Sequence, residues 1–185
     1  MIINRVWAMP NKWTFTIKPI KELLERYVGD GKNWIDPFAG EYSPAEFTND
    51  INPERKTTYH LDSLDFCKML SGKYTGILFD PPYSYRQISE HYKASGRKVT
   101  SLDTSSNFFT RVIKEISPKI QQNGFVISCG WNSGGFGKKY GFEILEVLLV
   151  CHSTYGIHHN DTIVTVEQKI KNVQKNPRRS TRQKN

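Results

Sequence analysis

An α/β fold on a mostly parallel sheet is what this chain predicts, and three observations carry that expectation. Strand-like segments alternate with helical ones, the order that parallel crossovers produce. Ile77-Leu78-Phe79 and Phe125-Val126-Ile127 are apolar without interruption, as strands covered on both faces should be. Two longer strand-like segments, 142–151 and 162–168, are joined by a short connection, which predicts an antiparallel pair at one end of the sheet.

Taken in order, residues 19–27 form an amphipathic helix, because Ile20, Leu23, Leu24 and Tyr27 recur at i, i+3, i+4 and i+7. Pro19 suits its first turn, and Gly29 and Gly31 close it. Strands are expected over 34–36, 45–50, 57–61, 76–79, 125–129, 142–151 and 162–168, a seven-stranded mixed sheet. Helices are expected over 63–70 and 105–122, the second with an apolar face of Phe108, Phe109, Val112, Ile113 and Ile116. Only residues 37–44 separate the first two strands, and only 51–56 separate the second from the third. A parallel crossover normally takes a dozen or more residues and a helix. Two crossover helices are therefore expected to be missing. Ala45, Phe47 and Asn49 alternate with Glu46, Thr48 and Asp50, and Thr57, Tyr59 and Leu61 with Thr58, His60 and Asp62, which implies one wetted face.

The 185 residues suit one domain. No run of 18 apolar residues predicts a membrane span. The start, Met-Ile-Ile-Asn-Arg, lacks the charged and apolar regions of a signal peptide. Cys67, Cys129 and Cys151 are odd in number and scattered, so a reduced, cytoplasmic protein without structural zinc is expected. His152, His158 and His159 lack metal-site spacing, and no metal is expected. Of the net charge of +8, seven positive charges lie after Glu167, at Lys169, Lys171, Lys175, Arg178, Arg179, Arg182 and Lys184, with no acid among them. The expected division is a catalytic domain over 1–168 and a basic tail over 169–185, disordered when free. The tail either solubilises the chain or tethers phosphates through residues such as Arg178, Arg179 and Arg182.

Asp80-Pro81-Pro82-Tyr83 follows the apolar run Gly76-Ile77-Leu78-Phe79. Open α/β folds place their ligands at that edge of the sheet. The four residues suit holding an exocyclic amino group for attack. Asp80 and the Pro81 carbonyl accept hydrogen bonds from the NH2, the prolines stiffen the turn and remove competing N–H donors, and Tyr83 offers a face for a base to stack on. A second strand-to-turn segment, Asn33-Trp34-Ile35-Asp36-Pro37-Phe38-Ala39-Gly40, lies upstream, preceded by Thr14-Phe15-Thr16-Ile17-Lys18-Pro19-Ile20-Lys21-Glu22-Leu23-Leu24.

In this order and spacing the three segments resemble the S-adenosylmethionine-dependent adenine-N6 DNA methyltransferases. The resemblance covers residues 10 to 168. It implies a class I methyltransferase, Rossmann-like sheet, S-adenosylmethionine as cofactor, and Asp80, Pro81, Pro82 and Tyr83 as the catalytic loop. It carries cofactor contacts onto Phe15, Thr16 and Lys18, onto Asp36, Pro37, Phe38 and Gly40, and onto Asp62. Asp50, ending the second strand, is placed to take both ribose hydroxyls, as in dinucleotide folds. Asp62 also reads as a cap for the helix that begins at Ser63. The chain departs from the family at Gly40, where Glu41-Tyr42-Ser43-Pro44 replaces a small-residue run and no helix N-terminus follows to meet a carboxylate.

Residues 84–104 mix aromatics with cations, and Ser84, Tyr85, Arg86, Lys93, Arg97 and Lys98 are expected to contact a nucleic-acid strand. Trp131 and Asn132, after the fifth strand, open onto the same edge and suit the target base, or belong to a glycine-rich connector. No segment is long enough for a separate target-recognition domain, so short loops, a separate specificity subunit or a homodimer would supply selectivity. The readings that remain are methylation of adenine in DNA, methylation of adenine in RNA, and a nucleic-acid-binding relative without activity.

Overall fold

The computed structural model describes residues 1–82, 108–152 and 160–170. Its elements run β1 (Ile2–Trp7), α1 (Lys18–Tyr27), β2 (Trp34–Asp36), β3 (Phe47–Thr48), α2 (Ser63–Met69), β4 (Tyr74–Phe79), α3 (Phe108–Ile116), β5 (Ile120–Gly130), β6 (Phe142–Cys151) and β7 (Thr162–Lys169). The strands form one seven-stranded sheet in the order β1-β6-β7-β5-β4-β2-β3. Only β7 runs against its neighbours, pairing antiparallel with β5 and β6, while every other pair is parallel.

Alternation along the buried strands builds two cores. Ile20, Leu23 and Leu24 of α1 pack against Trp34, Leu78, Ile127 and Val164 on one face. On the other, Leu64 and Phe66 of α2 and Val112 and Ile116 of α3 pack against Ile35, Ile77 and Val126. The polar side of α1 carries the i,i+4 pairs Lys18–Glu22 and Lys21–Glu25, both 3.9 Å.

No helix interrupts residues 37–62, as the short spacings predict. Asn49 replaces what crossovers would supply. Its buried amide donates to the carbonyls of Pro37 (3.1 Å) and Leu61 (3.0 Å) and accepts from the Leu61 N–H (2.9 Å). The strand expected over 57–61 shrinks to an isolated parallel bridge between Asn49 and Tyr59. Its alternation survives nonetheless, with Thr58 and His60 exposed and Tyr59 and Leu61 half-buried.

Three other expectations are corrected. The count of seven strands is completed by β1, which pairs with β6 beyond the antiparallel pair. Its periodicity is weak because most of its side chains are exposed. The helix expected over 105–122 ends at Ile116, with residues 105–107 outside the described residues. Pro118 lacks an N–H to continue it, Ser117 Oγ donates to the Ile113 carbonyl (2.6 Å), and β5 begins two residues later. Lys169 is not part of a tail. It ends β7 with 2% exposure, its ammonium donating to the carbonyls of Ser117 (2.6 Å) and Ile120 (2.9 Å). Burial lowers its pKa to about 8. β7 thus runs one residue past the boundary expected at 168, and the basic residues from Lys171 onward lie outside the described residues.

Candidate active site

Three cavities meet where β4 ends at Asp80-Pro81-Pro82. The first, of about 580 Å³, is lined by Pro37 and Phe38 after β2, Asp50 and Ile51 after β3, Leu61 and Asp62 before α2, Asp80 and Pro82, and Phe108 and Phe109 of α3. The second, of about 750 Å³, shares Phe38, Asp50 and Asp80 with it and continues to Lys12, Trp13, Phe15, Gly40, Tyr42 and Arg55. The third, of about 700 Å³, lies on the β5 side, between Phe79, Pro81 and Phe109 and the segment from Ser128 to Asn132. Parallel strands deliver all of these at one edge, where successive turns diverge and leave a crevice.

Asp50 organises the join between the first two cavities. Its carboxylate accepts from the Gly40 N–H (3.1 Å) and the Asn52 N–H (2.8 Å), tying the turn after β2 to the turn after β3. A carboxylate has about four acceptor sites, so two remain for a ligand hydroxyl. Gly40 has φ of +57°, and a Cβ there would come 3.1 Å from the Trp13 ring. That is why a glycine stands at this wall. Asp62 is both a helix cap and part of a cavity wall. It caps α2 by accepting from the Leu64 N–H (2.9 Å), and it lines the first cavity.

Asp36 behaves differently from its expectation. It is fully buried behind the turn, accepting from the Phe38 N–H (2.9 Å) and from Ser43 Oγ (2.6 Å). Burial raises its pKa to about 7 despite those bonds, and the nearby Asp80 and Asp50 add to the rise. It is not among the described residues that line the cavities. Asp36 shapes the Pro37–Gly40 turn from beneath. Thr16 and Lys18 are also elsewhere: Thr16 Oγ1 donates to the Trp13 carbonyl (2.8 Å), and Lys18 points to solvent beside Glu22. Lys18 is the first residue of α1, and its exposed side chain pairs along the helix with Glu22. Phe15, Pro37, Phe38 and Gly40 do reach the cavities.

On the far side, Glu167 of β7 roots the connector after β5. Its buried carboxylate accepts from the N–H groups of Phe136 (2.6 Å) and Gly137 (2.8 Å), and burial raises its pKa. Gly135, with φ of +52°, sits so close that a Cβ would lie 2.2 Å from that carboxylate. The connector thus fixes Trp131 and Asn132 at the third cavity. Two buried hydroxyls nearby, Ser128 Oγ and Thr165 Oγ1, have no hydrogen-bond partner among the described residues. They belong to residues paired across β5 and β7, and Ser128 lines the third cavity. Burial, with Asp80 and Asp36 close by, pushes the Cys129 thiol well above its ordinary pKa, so it stays protonated.

Sequence reasoning missed Trp13, Tyr42 and Arg55 in the second cavity. It placed Phe108 and Phe109 only on a helix face. The rings of Phe38, Phe79 and Phe109 in fact lie 5.4–6.4 Å apart at the junction of the cavities. Tyr83, Ser84, Tyr85, Arg86, Lys93, Arg97, Lys98, Arg178, Arg179 and Arg182 lie outside the described residues, as do His158 and His159. Among the described residues no cluster of His, Cys, Asp and Glu could hold a metal, and no helix is long and apolar enough to cross a membrane.

No protein-family model matches the sequence, and no curated protein matches it. Solved structures do match. TrmN from Thermus thermophilus superposes over 83% of this chain with a TM-score of 0.53 and 13% identity. A protein from Listeria monocytogenes assigned to the class I S-adenosylmethionine-dependent methyltransferases covers 92% with a TM-score of 0.52 and 14% identity. The fold is that of the class I methyltransferases. A protein classed as an rRNA methylase, from Clostridium thermocellum, matches over 84% of this chain and 96% of its own, with a TM-score of 0.51 and 10% identity. This chain spans 49% of TrmN and 63% of the Listeria protein.

Proposed function

We propose that this class I methyltransferase fold transfers the methyl group of S-adenosylmethionine to the N6 amino group of adenine in DNA. The observation that carries the reading is the position of Asp80-Pro81-Pro82: Asp80 faces the two adjoining cavities, and Pro81 faces the third. One loop thus borders a space for a cofactor on one side and a space for a base on the other.

The residues present fit the cofactor. Phe38, Ile51, Leu61, Phe108 and Phe109 offer apolar walls for an adenine ring, Asp62 an acceptor for its amino group, and Asp50 acceptors for ribose hydroxyls. Asp80 and Asp50 put carboxylates on the wall that the first two cavities share, beside which a sulfonium would sit. Bound there, S-adenosylmethionine would supply an electrophilic methyl on positively charged sulfur. The chain's own contribution is to the amine. Adenine N6 is a weak nucleophile because its lone pair is delocalised into the ring. Asp80 and the Pro81 carbonyl, accepting from its two N–H groups, favour the pyramidal nitrogen, and the rigid prolines hold both acceptors in place. In a duplex the base must first leave the stack, at a cost of about a few kcal/mol that contacts in the third cavity would offset.

RNA is the second reading, favoured by the rRNA methylase among the structural neighbours. Tritiated methyl transfer onto duplex DNA, structured RNA and no nucleic acid separates the two. Asp80→Ala is expected to abolish incorporation while leaving cofactor binding by calorimetry nearly unchanged. Retention of most turnover in that variant would remove Asp80 from the reaction.

A further inference from the structure

Two cations, Lys12 and Arg55, line the second cavity together with the acids Asp50 and Asp80, so its wall is zwitterionic. The amino-acid end of S-adenosylmethionine is a zwitterion too. A parallel α/β fold usually meets a ligand anion with the N-terminus of the crossover helix, and here residues 37–62 contain no helix.

Arg55 is delivered by a built turn. Asp50 accepts from the Asn52 N–H (2.8 Å), Asn52 Oδ1 accepts from the Glu54 N–H (3.0 Å), and the Asn52 carbonyl accepts from the Arg55 N–H (3.1 Å). The guanidinium lies 5.1 Å from the Trp13 ring centroid and donates to Glu41 at 2.7 Å. Lys12 sits 4.9 Å from the same ring. A guanidinium has five N–H donors in a planar fork, and the single bond to Glu41 leaves donors for a second carboxylate. Glu41 pre-orients the fork and competes for it.

We infer that Arg55, assisted by Lys12 and seated on Trp13, is the subsite for the carboxylate of the cofactor's amino-acid end. It does the work of the missing helix N-terminus. The segment left by the lost crossover carries its own anion anchor. This rests on the cofactor reading above, and the experiment separates failure of the two.

The test is calorimetry on the full chain with two probes. S-adenosylhomocysteine keeps the amino-acid end, and 5′-methylthioadenosine keeps the adenosine and thioether without it. In Arg55→Ala, binding of S-adenosylhomocysteine is expected to weaken about tenfold or more, as removal of a charge-assisted bidentate pair implies. Binding of methylthioadenosine should change less than about twofold, which also shows that the variant is folded. Glu41→Gln, which removes the competitor, should leave S-adenosylhomocysteine affinity equal or higher. Equal weakening of both probes in Arg55→Ala, or of neither, overturns the subsite. So does a wild type that binds both equally well while the cofactor reading stands. A wild type that binds neither overturns both.

Discussion

Replacing Asp36 with Asn isolates the energetic cost of a carboxyl held beneath the candidate site. Asp36 is fully buried, and its pKa rises from 3.8 to about 7. Between those values the folded chain keeps a proton that the unfolded chain has released. The resulting stability is fully present below pH 3.8 and is lost as pH rises to about 7. Three pKa units at about 1.36 kcal/mol each give an upper figure of about 4 kcal/mol. Asn has no such titration. Its amide oxygen can still accept from the Phe38 N–H, and its amide nitrogen can donate to Ser43 Oγ, which now acts as donor to Asp36. The assay is urea denaturation of both proteins across the pH range, reported as a difference so that other titrating groups cancel. The variant should match wild type near pH 4 and gain stability steadily toward pH 7. The gain should level off beyond that, at no more than about 4 kcal/mol. Parallel curves, or a variant less stable than wild type at pH 8, would mean that Asp36 is charged in the fold at neutral pH and that its two hydrogen bonds outweigh its burial.

Three further outcomes are expected. Arg26→Ala strands the buried carboxylate of Glu146, leaving it, among the described residues, Tyr27 (2.8 Å) and Asn4 (3.4 Å). Because Arg26 is itself half exposed, chemical denaturation should show a loss of about 1–3 kcal/mol, below that for a fully buried pair. The hydrogen bond from Arg26 lowers the Glu146 pKa, so its contribution should disappear on acidification through the carboxylate range. Ser128→Ala deletes a buried hydroxyl that has no partner among the described residues and should leave the midpoint unchanged or raise stability by up to about 1 kcal/mol; a loss beyond about 1 kcal/mol would show that the hydroxyl has a partner in the fold. Deleting residues 171–185 removes Lys171, Lys175, Arg178, Arg179, Arg182 and Lys184 but leaves Lys169 in β7. If the six tether phosphates, the slope of log K against log salt for duplex binding should flatten by about 0.9 for each phosphate no longer neutralised, on matched and scrambled sequences alike; equal slopes would make the segment a solubilising appendage.

Where local pattern was strong, the element was legible in the sequence. The periodicity of Ile20, Leu23 and Leu24 specified α1 and its buried face, and the uninterrupted apolar runs specified β4 and β5 as doubly covered strands. Chain length alone excluded crossover helices in 37–62, because too few residues separate the strands. The Asp-Pro-Pro turn followed from its place at the end of such a strand. What could not be read was anything decided by partners remote in sequence. The titration of Asp36 follows from burial and from Ser43, Asp80 and Asp50, which only the folded sheet gathers. Lys169 looked like the first residue of a basic tail, yet the carbonyls of Ser117 and Ile120 await it some fifty positions back. Lys18 stood among the expected cofactor contacts, but its side chain is exposed beside Glu22, whereas Arg55, on a turn pinned by Asp50, lines the second cavity. Sequence determines which backbone states and faces are cheap over a few residues. Tertiary structure determines which charged groups share one cavity, because that proximity is set by the sheet and not by the distance between them along the chain.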